Sequence, residues 1–156
     1  MNKAKIIDLW EAAELDLSNS TLISGGFDPI HPGHIDYIQA ASKLGGPLIV
    51  VVNGDNFLTE KKGKPFQNLQ TRSEIVASII NVDYVIPFEA FDPKDMSVCV
   101  ALEYVRPKIF ANGGDRKEDN IPEYCICDQL GIKMMFGVGG VDKTHSSSDM
   151  LNSWKK

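Results

Sequence analysis

The chain has 156 residues, 43% hydrophobic and 24% charged, which suits one globular domain able to bury a core. Its net charge of −5 at pH 7 offers no broad cationic face, which excludes a nucleic-acid scaffold, and no apolar run approaches the roughly 20 residues that cross a bilayer. Cys99, Cys125 and Cys127 make an odd set with no disulfide framework, and the acid-bearing amphipathic N-terminus reads as neither signal nor transit peptide, so a reduced, cytoplasmic setting is expected.

In chain order, Ile6, Ile7, Leu9, Trp10, Ala13 and Leu17 fall near helical spacing. They predict a leading amphipathic helix over 4–16, within an opening segment 1–18. Trp10 and this helix are expected to cover a sheet edge or join a subunit interface. In a reduced compartment the sequon at Asn19 is chance. "TLIS" (21–24) reads as a strand stopped by Gly25-Gly26, and residues 33–44 as a helix ended by Gly45-Gly46-Pro47. "PLIVVVN" (47–53) is an unbroken β-branched run, the pattern of a parallel strand covered on both faces.

A loop rich in lysine and glycine is predicted over 56–67, followed by a helix near 70–81. "DYVIPF" reads as a strand, 95–105 as a helix, and "KIFAN" as a strand running into Gly113-Gly114. Residues 121–130 are expected to be helical; there Cys125 and Cys127 cannot share one face, and core packing is their natural use. "IKMMFGV" follows as a strand, then a helix over 149–154. The expected fold is α/β: a Rossmann-like open parallel sheet of about five strands with helices on both faces, one domain over 1–156 without linker or repeat.

In such a sheet, ligands sit beyond the carboxyl ends of the strands. The chain places its unusual residues there: Gly25 to His34, Asn53 to Asp55, Gly113 to Arg116, and Thr144 to Ser148. In the first of these, "SGGFDPIHPGH", the glycines let backbone N–H groups approach a ligand, and the next helix presents its free N–H groups and positive end. His31 and His34 share a face if that helix begins near Pro32, and two imidazole donors there suit a phosphate whose charge grows during reaction. A histidine taken singly is more often structural. His-x-x-His also suits a transition metal, but no third ligand stands at convincing spacing, so no metal site is assigned. Neither a Walker A motif nor Gly-x-Gly-x-x-Gly follows the first strand. Ser146, Ser147 and Ser148 would offer hydroxyls and free N–H groups to phosphate, although a serine run before a helix commonly acts only as a cap.

These residues carry a resemblance. "GGFDPIHPGH" resembles the glycine–hydrophobic–aspartate plus His-x-Gly-His signature of the cytidylyltransferase-like nucleotidyltransferase superfamily, and the similarity runs from Thr21 to about Leu151. The resemblance implies that Gly25, Gly26, Phe27, Asp28 and Gly33 line the nucleotide, and that His31 and His34 contact its triphosphate and stabilise the transition state. It assigns Lys61 to the substrate-phosphate lysine, with Lys62 or Lys64 assisting, although a Lys-Lys-Gly-Lys loop is ordinarily just solvated. Arg72 matches a recurrent arginine that opens a helix and, with Asp55 and Lys64, is expected to bind substrate. "NGGDR" (112–116) brings Asp115 and Arg116 to the nucleotide, and "HSSSDM" brings Ser146, Ser147 and Ser148 to its β- and γ-phosphates.

The activity so implied is transfer of AMP or CMP from ATP or CTP to a small phosphorylated acceptor, releasing pyrophosphate. Mg²⁺ would be bound mainly through nucleotide phosphates. A homodimer is expected from the resemblance, with no nucleic-acid or membrane partner. Two departures weaken the glycerol-phosphate branch: Val141 stands where that branch has arginine, with Lys143 nearby, and Ile80 replaces a second arginine. A sugar phosphate is therefore the favoured acceptor. The alternatives are a nucleotide-binding regulator without chemistry and a phosphohydrolase using the two histidines as metal ligands.

Overall fold

The computed structural model describes residues 3–114, 116–117, 121–140 and 147–155. Its strands are β1 (Lys5–Ile6), β2 (Thr21–Gly25), β3 (Leu48–Asn53), β4 (Tyr84–Phe88), β5 (Ile109–Ala111) and β6 (Lys133–Met135). The helices are α1 (Leu9–Glu14), α2 (Pro32–Ser42), α3 (Asp55–Lys62), α4 (Leu69–Ala77), α5 (Cys99–Val105), α6 (Tyr124–Leu130) and α7 (Ser147–Lys155).

One sheet forms in the order β1-β4-β3-β2-β5-β6, with every neighbouring pair parallel. The expected Rossmann-like α/β fold is therefore present, with six strands among the described residues where about five were expected. Strand order reverses at β2, which has β3 on one side and β5 on the other, and this switch opens a crevice at the carboxyl ends.

The central strands divide their side chains between two cores with period two. Leu22, Ile49, Val51, Ile86 and Phe110 face one side and pack with α1, α5 and α6 residues such as Ala12, Leu102 and Cys127. Ile23, Val50, Val52 and Val85 face the other and pack with Ile38 and Ala41 of α2 and Val76 and Ala77 of α4. All six β3 residues are buried, as the β-branched run requires.

Two expected elements are corrected. Residues 4–16 are not one helix: Lys5 and Ile6 form the edge strand β1, and the Ile7 N–H donates to the Val85 carbonyl at 2.9 Å. Asp8 then starts α1 through a capping box, its carboxylate accepting from Glu11 N–H at 2.8 Å. Four apolar residues between Ile6 and Trp10 satisfy a strand and a helix start as readily as one continuous helix. The lysine-rich 56–67 segment is not all loop either, because α3 occupies 55–62. It has neither glycine nor proline, and it ends at Gly63, whose φ of +95° is open to glycine. α5 begins at Cys99 rather than near residue 95, because Asp95 and Ser97 make their own turn.

Helix α1 packs on α5, and Trp10 meets Tyr104 edge-to-face at 5.6 Å while staying 70% exposed. In α6, Cys127 is buried and Cys125 exposed, so the pair does divide between faces. Burial predicts the cost of truncation. Phe110→Ala, at a site with no exposure, should lose ~3–5 kcal/mol in urea unfolding. Trp10→Ala should lose about 1 kcal/mol or less; the reverse order would contradict this assignment of the core.

Candidate active site

The loop after β2 turns sharply. Phe27 takes a left-handed φ of +53°, and its ring folds back so closely that a Cβ on Gly25 would lie 3.0 Å from it. The Asp28-Pro29 peptide is cis. The chain then enters α2, with His31 as its N-cap and Pro32 and Gly33 in its first turn.

His31 and His34 make a reciprocal cap. The His31 Nδ1 accepts from the His34 N–H at 3.4 Å, and the His34 Nδ1 accepts from the His31 N–H at 3.2 Å. The two rings stack at 3.8 Å, and Phe27 sits edge-on to His34 at 5.0 Å. With both Nδ1 atoms accepting, the ring protons belong on Nε2 in the neutral tautomer. Burial first, then the nearby charges of His31 and Lys61, lower the His34 pKa to about 3. His34 is thus a neutral donor at physiological pH. Lys61 lies near the end of α3, where its charge reaches His34, and its ammonium sits 5.9 Å from the Phe57 ring centroid.

Arg72 is placed beneath the site, not in its lining. It is completely buried in α4, and four hydrogen bonds hold it to protein. Nε donates to the Gln67 carbonyl at 2.8 Å, Nη1 to the carbonyls of Gly26 and Asn53, and Nη2 to Asp55 Oδ1 at 2.8 Å. The guanidinium and the Asp55 carboxylate, both expected to meet substrate, meet each other and join the ends of β2 and β3. Asp28 is similarly engaged. Its buried carboxylate accepts from the N–H groups of Phe66 and Gln67, each at 2.7 Å, and pairs with Lys62 Nζ at 2.9 Å. It anchors the turn after α3 and engages the Lys62 ammonium. Lys64 is exposed on that turn.

Arg116 pairs with the buried Glu123 at 2.8 Å, and Glu123 in turn accepts from the Val98 N–H that opens α5. Ser147 at the start of α7 donates to the Pro29 carbonyl at 2.7 Å, which brings the serine motif to the histidine loop. Asp115 and Ser146 lie outside the described residues, as do Val141 and Lys143, and Ser148 is described only as part of α7. Ile80 is half exposed.

Sequence reasoning missed two features. Tyr37, in α2, donates its hydroxyl to the Ala111 carbonyl at 2.5 Å, and burial pushes its pKa well up, so a neutral phenol ties α2 to β5. Glu89, one residue past β4, accepts from the N–H groups of Asp55 and Asn56 at 3.2 and 3.0 Å, capping α3. The only signal for Glu89 was its place at a strand's carboxyl end. It borders a small cleft whose lining includes Asn53, Asn56, Phe57, Phe88 and Asp95.

Comparison with known proteins follows the same outline. The model of the family described as "Cytidylyltransferase-like" matches residues 22–137. The Bifunctional protein HldE of Haemophilus influenzae (strain PittGG) is 33% identical over 123 residues, 78% of this chain and 25% of that protein. The protein of the same name from Blochmanniella pennsylvanica (strain BPEN) is 33% identical over 143 residues, 86% of this chain and 27% of that one. The chain thus spans about a quarter of the length of these curated relatives. Among solved structures, the lipopolysaccharide core biosynthesis protein of Thermoplasma volcanium GSS1 superposes with a TM-score of 0.62 at 28% identity, covering 76% of this chain and 93% of that one. A pantoate-beta-alanine ligase from Francisella tularensis shares the fold at 16% identity, with a TM-score of 0.60 and coverage of 95% and 73%.

Two outcomes follow from this geometry. Arg72→Lys cannot span the four acceptors, and stranding buried carbonyls should cost about 3 kcal/mol or more in denaturant unfolding. The low His34 pKa means that the unfolded chain gains a proton below about pH 6.5 while the folded chain does not until about 3. Stability must therefore fall as pH drops through that window. His34→Asn should remove about 1 kcal/mol of the loss between pH 7 and 5.5, read as the difference between variant and wild type.

Proposed function

The chain belongs to the cytidylyltransferase-like family, and on that premise we propose that it is a nucleotidyltransferase moving AMP or CMP from ATP or CTP to a small phosphorylated acceptor, with a sugar phosphate favoured. The observation that carries this reading is the reciprocal imidazole cap. It commits both Nδ1 atoms to the backbone, which puts the proton of neutral His34 on Nε2, at the start of a helix whose own end favours anions.

An acceptor phosphate oxygen attacks the α-phosphorus in line; a P–O bond forms as the bond to the β-phosphate bridging oxygen breaks, and pyrophosphate leaves. The attacking phosphate is already ionised at neutral pH, so no general base or covalent enzyme intermediate is required. The protein's work is positioning and stabilising charge. His34, held neutral, donates from Nε2 without first losing a proton, and His31 does so beside it. Lys61 draws the acceptor phosphate against the α-phosphate. The backbone from Gly25 to Phe27, with Gly33, leaves room for the nucleotide, and the start of α7 at Ser147 lies beside that loop to receive the β- and γ-phosphates. Arg72, Asp55 and Asp28 hold these elements in register.

The site's carboxylates fit magnesium carried by the nucleotide: Asp28 is taken up by Lys62 and two N–H groups, and Asp55 by Arg72. Phosphate oxygens and water would then be the ligands, with the ion screening phosphate charge. A homodimeric cytoplasmic enzyme remains part of this reading. Among the described residues, no helix is long and apolar enough to cross a membrane.

The test is pyrophosphate release from ATP, CTP, GTP and UTP with a panel of phosphorylated acceptors. One donor should support turnover, and His34→Ala should lower it by ~10² to 10³ while leaving the fold intact by circular dichroism. That same donor at ~100 times its dissociation constant should stabilise the wild type by about 2.7 kcal/mol. Triphosphate binding with no pyrophosphate from any acceptor would instead favour a regulator.

A further inference from the structure

The ion pair that fastens the loop after β5 is unequal in its two halves. Glu123 is 2% exposed and uses both carboxylate oxygens: Oε2 accepts from the buried Val98 N–H at 2.9 Å, and Oε1 from Arg116 Nη2 at 2.8 Å. The Arg116 side chain is 37% exposed, and Glu123 is its one hydrogen-bond partner among the described residues. A guanidinium carries several N–H donors beyond the one used here. A neutral acceptor would serve the Val98 N–H equally well, and burying a carboxylate costs desolvation. What the charge of Glu123 adds is a fixed place for Arg116.

That place bears on the carboxyl end of β5. The loop leaves the strand through Gly113, where a Cβ would stand 3.1 Å from the Tyr37 ring, and Gly114, whose φ is +63°. Burial dominates the Tyr37 phenol, the Arg116 charge acts on it next, and the Ser24 backbone after that. Ser24 belongs to β2, where strand order reverses, and the Ala111 carbonyl that accepts from Tyr37 belongs to its neighbour β5. Tyr37 also follows His34 by three residues on α2, about 4.5 Å along the helix axis. The Arg116 charge is therefore felt in the switch-point crevice, close to the imidazole pair. The same strand end carries Asn112, 1% exposed, whose Oδ1 has no hydrogen-bond partner. A buried acceptor left unpaired lowers stability, so this end of β5 is not shaped for stability alone.

We propose that Glu123 is a positioning residue for nucleotide binding: it holds Arg116 at the end of β5, so that the remaining guanidinium N–H groups donate to oxygens of the bound nucleotide. The proposal takes its ligand, a nucleoside triphosphate, from the transfer reading above. Without the Glu123 carboxylate, the half-exposed guanidinium would sample many directions, and the ligand would have to order it on binding. Arg116 touches the ligand, and Glu123 acts through Arg116.

A double-mutant cycle on the full chain tests this, with ATP and CTP, each with Mg²⁺, titrated by calorimetry. For the triphosphate that binds, Arg116→Ala and Glu123→Gln should each raise the dissociation constant by about tenfold. The double variant should bind no more than about twofold more weakly than Arg116→Ala, because Glu123 then has nothing to position. Gln keeps an acceptor for the Val98 N–H, so circular dichroism of Glu123→Gln should match wild type. In pyrophosphate release, Glu123→Gln should raise the triphosphate KM by more than it lowers kcat. Arg116→Ala or Glu123→Gln binding like wild type overturns the proposal. So does a Glu123→Gln loss that persists in full when Arg116 is already replaced, which would make Glu123 a cap for α5 alone. Any of these results beside normal turnover leaves the transfer reading standing. Binding without pyrophosphate from any phosphorylated acceptor overturns that reading and leaves the cycle to decide this one, and a wild type that neither binds a triphosphate nor turns one over overturns both. Should Glu123→Gln not fold, Glu123→Asp, one methylene shorter, takes its place in the cycle.

Discussion

The site depends on one buried guanidinium. Arg72 binds carbonyls at the ends of β2 and β3, a carbonyl just before its own helix, and the carboxylate that opens α3. A parallel sheet leaves its strand ends as separate loops with unpaired carbonyls, and each loop would otherwise need its own partner. The planar fork of arginine satisfies several at once, in fixed relative positions. Such a buried charge costs desolvation, offset here by four hydrogen bonds, one of them the ion pair with Asp55. In this chain the arginine of the family signature holds the ends of β2 and β3 and the start of α3 in register.

The same division runs through the charged groups. Asp28 and Lys62 neutralise each other and fasten the turn after α3, while Arg116 and Glu123 fasten the segment after β5 to the start of α5. These charges serve the architecture, while His34 is held neutral with His31 and Lys61 beside it. Neutral donors in a partly buried place suit a ligand that brings its own charge. An imidazolium at His34 would have to be desolvated beside His31 and Lys61, and that cost is what keeps its pKa low.

Much of this was legible in the sequence. The β-branched run of β3, the glycine stops and the strand–helix alternation fixed the sheet, because period and punctuation are local. His31 and His34 were legible because their spacing and the adjoining Pro32 define a helix start. The N-terminus was misread because Ile6 to Trp10 fits both periods, and only the open edge of β4 decides for a strand. Asp28, Asp55 and Arg72 are expected to bind ligand, and a motif gives their positions but not the protein groups they also hold; those partners lie 17 to 46 residues away in sequence. Glu89 belongs to no motif, and its role emerges only where β4 ends beside α3.

The Ser147 hydroxyl reaches the Pro29 carbonyl across 118 residues of chain. That contact gives the pocket a history as well as a shape. During synthesis, β2, β3 and the histidine helix emerge well before α7, so this contact can close only after the loop around Pro29 has been made. The Ser147–Pro29 tie is then a later event than the folding of the loop it fastens.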